Sequence, residues 1–105
     1  MTDTNISVTH AVLVEEEVQF TLVELSRACG AESEQLVALV EEGVLTPIGD
    51  ERRDWRFADT SLRRARAAVR LTRDLELNAA GVALVLDLLD EIEALRSRLR
   101  RLGDA

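Results

Sequence analysis

A chain of 105 residues with 20 acidic and 13 basic side chains carries a formal charge of -7, which disfavours polyanionic partners and favours basic ones. The length suits one domain, and 47% apolar residues with only three aromatics (Phe20, Trp55 and Phe57) predict a core of Leu, Val and Ala built from helices rather than a sheet sandwich. A lone Cys29 and a lone His10 exclude a disulfide framework, a thiolate zinc cluster and a Ser-His-Asp arrangement, and the five scattered glycines form no phosphate loop.

The expectation is therefore a protein that is not an enzyme and needs no metal or cofactor. No apolar run reaches membrane-spanning length and the first residues lack a charged-then-apolar pattern, so the expected location is the cytoplasm. Charge is uneven along the chain. Residues 1–51 hold eleven acids and one base, Arg27, whereas residues 52–105 hold nine acids and twelve bases, all of them Arg.

In chain order, Ile6, Val8, Thr9, Val12 and Val14 suggest a strand within an N-terminal arm over 1–17. Thr21 with Glu24 three residues later reads as a capping box. Leu22, Leu25 and Ala28 follow at helical spacing, and Gly30 ends that helix. Glu32 or Ser33 opens a second helix with Leu36, Leu39 and Val40 inward and Gly43 closing it. Two short helices around a glycine-containing turn form a helix-turn-helix pattern. Val44–Ile48 and Asp54–Phe57, separated by a polar turn, read as a small wing hairpin.

Asp59 or Thr60 is expected to cap the next helix, with Leu62, Ala65, Val69 and Leu75 on one stripe. A winged helix-turn-helix core over 18–77 then gives way to a long C-terminal helix over 78–105, capped by Asn78.

On that last helix Val85, Leu88, Ile92, Leu95, Leu99 and Leu102 alternate three and four residues apart, the spacing of an a/d seam. Either the seam meets a second helix, from another copy or a partner, or it packs along the protein's own Leu62–Leu75 helix. The distance of Leu95, Leu99 and Leu102 from the helix start favours the former, a homodimer through the last helix.

The segment in the recognition-helix position, Glu34 to Leu45, contains no basic residue. A helix that reads a major groove needs Arg or Lys for phosphates and Arg, Lys, Asn or Gln for base edges. Glu34, Glu41 and Glu42 oppose that use. Arg52, Arg53 and Arg56 on the wing are the residues that could still meet phosphates.

The order of elements resembles the MerR-like regulators, whose pattern is kept at Thr21, Leu25, Gly30, Leu36, Gly43, Val44 and Leu45. Where that group carries an Arg-Tyr-Tyr-Glu type of recognition segment, this chain has Val37, Ala38, Leu39 and Val40. A closer resemblance, over roughly residues 19 to 102, is to the CbpM family of modulators of the DnaJ-like co-chaperone CbpA. It rests on FTLVELSRACG at 20–30, EEGVLTP at 41–47, Trp55-Arg56-Phe57, and the tail. In the tail Arg70-Leu71, Asp74-Leu75, Gly81 to Leu84 and Asp90-Glu91-Ile92 match the family pattern.

The resemblance implies a mainly α-helical, MerR-like winged helix-turn-helix followed by two C-terminal helices, with a short N-terminal strand and a wing hairpin. It implies a non-catalytic protein that binds the J domain of a CbpA/DnaJ-like co-chaperone and blocks its stimulation of DnaK. Because a J domain offers a basic helix, the candidate contacts are two acidic groups. One is Glu41, Glu42, Asp50 and Glu51, and the other is Asp87, Asp90, Glu91 and Glu93. Trp55 and Phe57 are candidate apolar anchors. The alternatives are a MerR-like regulator that binds DNA through its wing and a purely oligomerising module.

Overall fold

The computed structural model describes residues 18–103. The expected strand at 6–14, and His10 with it, lies outside them.

Strand β1 (Gln19–Phe20) leads into helix α1 (Leu22–Cys29). The capping box forms: the Glu24 N–H donates to Thr21 Oγ1 at 3.1 Å, and the Thr21 N–H donates to Glu24 Oε1 at 2.9 Å. Two of the otherwise unpaired donors at the helix start are thus satisfied by side chains. Gly30 takes the left-handed conformation (φ 65°) that turns the chain out of α1, and its N–H bonds back to the last turn. The Ser26 hydroxyl donates to the Ala31 carbonyl and fastens the same turn.

Helix α2 (Ser33–Glu41) follows, with Glu32 at its N-cap making no side-chain cap bond.

The wing differs from the expected hairpin. Ile48 and Arg56 form a single bridge, with N–H to carbonyl distances of 2.8 and 3.0 Å in the two directions. A 3-10 turn, Arg52–Asp54, fills the loop between them. The returning strand β2 is only Phe57–Ala58, and its partner is β1, antiparallel, with Phe20 opposite Phe57. A fully formed hairpin would have left Phe57 on a two-stranded ribbon; pairing with β1 puts it in the core at 0% exposure. Gly49 is required where it stands: φ is +113°, and a Cβ there would meet the Asp54 carbonyl oxygen at 2.9 Å.

Helix α3 (Asp59–Leu75) starts straight from β2. The expected caps Asp59 and Thr60 are not its caps: Ala58 holds that position without a side-chain bond, because the strand runs into the helix with no intervening loop. Leu75 also departs from the expected core stripe and is 60% exposed in the last turn. The buried residues of α3 include Ala65 and Ala68, whose small side chains let α1 and α4 approach closely.

Helix α4 (Ala79–Gly103) is capped as expected, with the Gly81 N–H donating to Asn78 Oδ1 at 2.8 Å. Only its first two turns reach the core. Val82 and Leu86 are buried, together with Leu25, Leu36, Leu39, Val44, Leu45 and Phe57. From Leu88 onward the helix leaves the body, and at ~1.5 Å per residue the remainder extends on the order of 25 Å. The radius of gyration, 17.1 Å, accordingly exceeds the about 13 Å of a compact chain of this size. No helix among the described residues is long and apolar enough to cross a membrane.

Candidate functional site

Helix α2 packs against α1 and α4, and this decides what its surface can offer. In the segment where MerR-like proteins carry recognition residues, Val37 is 8% and Leu39 2% exposed, while Ala38 and Val40 are half-buried. These apolar residues are therefore core, not an exposed apolar replacement for DNA contacts. What α2 shows to solvent is Glu34, Glu41 and Glu42.

Arg64 of α3 organises the acidic residues. Its Nε donates to the Val44 carbonyl at 2.9 Å, and its Nη1 lies 3.4 Å from Asp90 Oδ2 on α4. One guanidinium thus grips the chain just past the end of α2 and also the first exposed turns of α4. Glu41 and Glu42 lie at that end of α2, so Arg64 links the segment that follows them to Asp90, almost fifty positions later in sequence. Asp87, Asp90 and Glu91 occupy i, i+3 and i+4 positions, hence one side of α4. All of them are exposed, as are Leu84 (60%), Leu88 (53%) and Leu89 (50%) alongside. The result is a surface of carboxylates next to uncovered leucines.

The other members of the first acidic group lie elsewhere. Arg52 pairs with Glu34 in the first turn of α2, so the wing turn bearing Asp50 and Glu51 is tied to the opposite end of that helix from Glu41 and Glu42. Glu51 is itself engaged by Arg53 at 3.0 Å. Glu93 pairs with Arg100 along α4 at 3.3 Å. No ion pair to Asp59, Asp74 or Glu76 forms among the described residues.

The aromatic anchors separate. Phe57 is fully buried and cannot touch a partner. Trp55 is half-buried, stacked edge-on against Phe57 with centroids 6.1 Å apart and rings at 82°. The remainder of its ring lines a groove of about 600 Å³ between the first turn of α1 and the wing.

The a/d seam is uncovered beyond the core. Val85 is half-buried, whereas Ile92, Leu95, Leu99 and Leu102 are 43%, 47%, 67% and 70% exposed. Packing along α3 does not account for them. Cys29 is half-buried, and burial pushes its thiol up while Arg66 pulls the other way, which disfavours the reactive thiolate. The residue that sequence reasoning missed is Arg64: it stood in a run of arginines, and only the fold gives it two acceptors, the Val44 carbonyl just past α2 and Asp90 on α4.

Comparison with known proteins agrees with the helix-turn-helix. The pattern of the MerR HTH family of regulatory proteins matches residues 20–104. The chain is also 38% identical over 91 residues to the chaperone modulatory protein CbpM of Coxiella burnetii, covering 87% of this chain and 86% of that one. The chain belongs to the CbpM family. The protein of the same name from Pseudomonas putida is 38% identical over 80 residues, covering 76% of this chain and 79% of its own. That from Salmonella paratyphi B is 36% identical over 85 residues, covering 81% and 84%. A CbpM chain is thus a helix-turn-helix protein whose relatives are named for modulating a chaperone, and its recognition helix here is acidic and packed.

Proposed function

We propose that this protein modulates a chaperone system without catalysis, by binding the J domain of a CbpA/DnaJ-like co-chaperone and covering the surface with which that domain stimulates DnaK. The observation that supports the reading is Arg64 joining the chain just past Glu41 and Glu42 to Asp90, on the side of α4 that also carries the exposed Asp87 and Glu91, beside exposed leucines. A basic amphipathic helix complements such a surface in both charge and apolar content. The carboxylates steer encounter and register, since exposed ion pairs contribute only ~0–1 kcal/mol each, and the leucines supply most of the affinity. Asp50, Glu51 and Trp55 form a second contact region at the wing. The exposed α4 seam of Leu88, Ile92, Leu95, Leu99 and Leu102, continuing from Val85, pairs two copies of the chain into a homodimer.

Calorimetric titration of the isolated J domain tests this reading. Tight binding that weakens with salt is expected. Glu41→Lys with Glu42→Lys, and separately Asp87→Lys with Glu91→Lys, should each weaken it at least tenfold, because each pair of reversals replaces attraction by repulsion. Unchanged affinity in both variants would remove the acidic surface from the interface.

One observation favours a second reading. Arg52, Arg53 and Arg56 are exposed on the wing, where MerR-like proteins meet phosphates. A salt-sensitive shift of duplex DNA, with no J-domain binding, would establish that reading instead.

A further inference from the structure

The groove beside Trp55 has the opposite electrostatics to the acidic surface. Leu22 and Val23 of α1 and the indole of Trp55 give it apolar walls, Arg52, Arg53 and Arg56 supply its charge, and among the described residues no carboxylate lines it. It is an open groove of about 600 Å³, wide enough for several side chains. Val23 is 52% exposed there, a large β-branched residue left uncovered at the first turn of a helix.

The three guanidiniums differ in how far they are committed. Arg56 Nη1 donates to the carbonyls of Trp55 at 2.9 Å and Asp54 at 3.5 Å, and among the described residues Arg56 has no carboxylate partner. Arg53 pairs with Glu51, but the two side chains are 81% and 64% exposed. An incoming carboxylate can exchange with such a pair at little cost. Only Arg52, held to Glu34, is firmly occupied.

We propose that this groove is a docking site for an acidic peptide segment that carries an apolar side chain. Carboxylates would be held by Arg53 and Arg56 through charge-assisted hydrogen bonds, and the apolar side chain would lie between Val23 and Trp55. Duplex DNA suits the groove less well. A phosphodiester backbone gains nothing from the Val23–Trp55 wall. The proposal is independent of the acidic surface, and its test requires no co-chaperone.

Trp55 is the only tryptophan in the chain, so its fluorescence and its indole N–H resonance report this groove alone. The probe is the unlabelled peptide acetyl-Asp-Glu-Leu-Asp-Glu-Leu-Glu-amide, titrated into the full chain. The controls are the same peptide with Lys for every acid and a duplex oligonucleotide. A saturable change in Trp55 emission is expected with the acidic peptide and none with the basic one.

Arg53→Gln with Arg56→Gln should weaken binding about tenfold, the loss of two charge-assisted contacts at a solvent-exposed site. Val23→Glu, which puts a carboxylate on the apolar wall, should abolish the response while circular dichroism stays that of the folded protein. The proposal is overturned by an unresponsive Trp55 in the folded wild type or by unchanged affinity in the arginine variant. A response to duplex DNA that the acidic peptide does not compete away would overturn it as well.

Discussion

The uncovered seam on α4 gives a quantitative expectation for self-association. Leu88, Ile92, Leu95, Leu99 and Leu102 are 43% to 70% exposed, so roughly half of each side chain remains to be covered. Full burial of such a side chain is favourable by ~1.5–3 kcal/mol, so covering half contributes about 1 kcal/mol. Five residues on each of two helices give about 10 kcal/mol gross, against an association cost of ~4–15 kcal/mol. At the low end of that cost the net is about 6 kcal/mol, so the expected homodimer is weak, with a Kd of tens of micromolar or above.

Leu95→Glu with Leu99→Glu removes four half-covered leucines from the pair, about 4 kcal/mol, or on the order of a thousandfold in Kd. Sedimentation velocity from ~1 to ~500 µM should show the wild type crossing from monomer to dimer and the variant remaining monomeric. Thermal melts should hardly move at low concentration, because both positions lie beyond the last α4 residue in the core, Leu86. A wild type that stays monomeric across the whole range, or a variant that dimerises as well as the wild type, refutes the reasoning.

Arg64→Met should cost about 1–2 kcal/mol in urea denaturation, mostly from the Val44 carbonyl losing its partner and only slightly from the exposed Asp90 pair. A change below ~0.3 kcal/mol would deny Arg64 its bridging role. Thr21→Ala removes half of the capping box and should lower stability by ~1 kcal/mol, read as a Tm drop of about 4–8 °C, and an unchanged Tm would mean that α1 does not depend on its cap. Cys29, with its thiol pushed up by burial, should react with a disulfide reagent near pH 8 several times more slowly in the native chain than in urea, since the thiolate is the attacking form; equal rates would contradict the burial.

Features carried by neighbouring residues were legible in the sequence. The Thr21–Glu24 box, the Gly30 turn and the Asn78 cap each depend on residues within a few positions, and all three are present, while the apolar stripe of α4 lies on a continuous helix. What was not legible depends on pairing over distance. The strand Phe57–Ala58 had a plausible local partner in Val44–Ile48, yet its ladder is to Gln19–Phe20, almost forty positions away. Asp59 looks like a cap by residue type, but no loop separates β2 from α3, so it falls inside the helix. Leu75 matches the apolar period of α3, but the period cannot say how far the covering helix extends. The link between the end of α2 and the exposed part of α4 had no sequence signature at all, because it is made by one arginine reaching residues twenty and twenty-six positions away.

The same packing explains why the helix-turn-helix cannot read DNA by a simple change of charge. Arginines introduced at Glu34, Glu41 and Glu42 would give α2 phosphate contacts but no reading side chains, because Val37 and Leu39 are held inside by α1 and α4. Arginine at Val37 or Leu39 would force a cation into the core, where an unpaired charge costs several kcal/mol. Releasing those positions would require α4 to move, and α4 is held by Val82, Leu86 and the Arg64–Asp90 pair. The helix that packs on α2 also carries the exposed Asp87, Asp90 and Glu91, with Asp90 held to Arg64. The packing of α4 against α2 thus goes with the burial of Val37 and Leu39 and with an exposed face of carboxylates and uncovered leucines on α4. A partner chosen by that surface must be basic and partly apolar, which describes a protein helix far better than a nucleic acid.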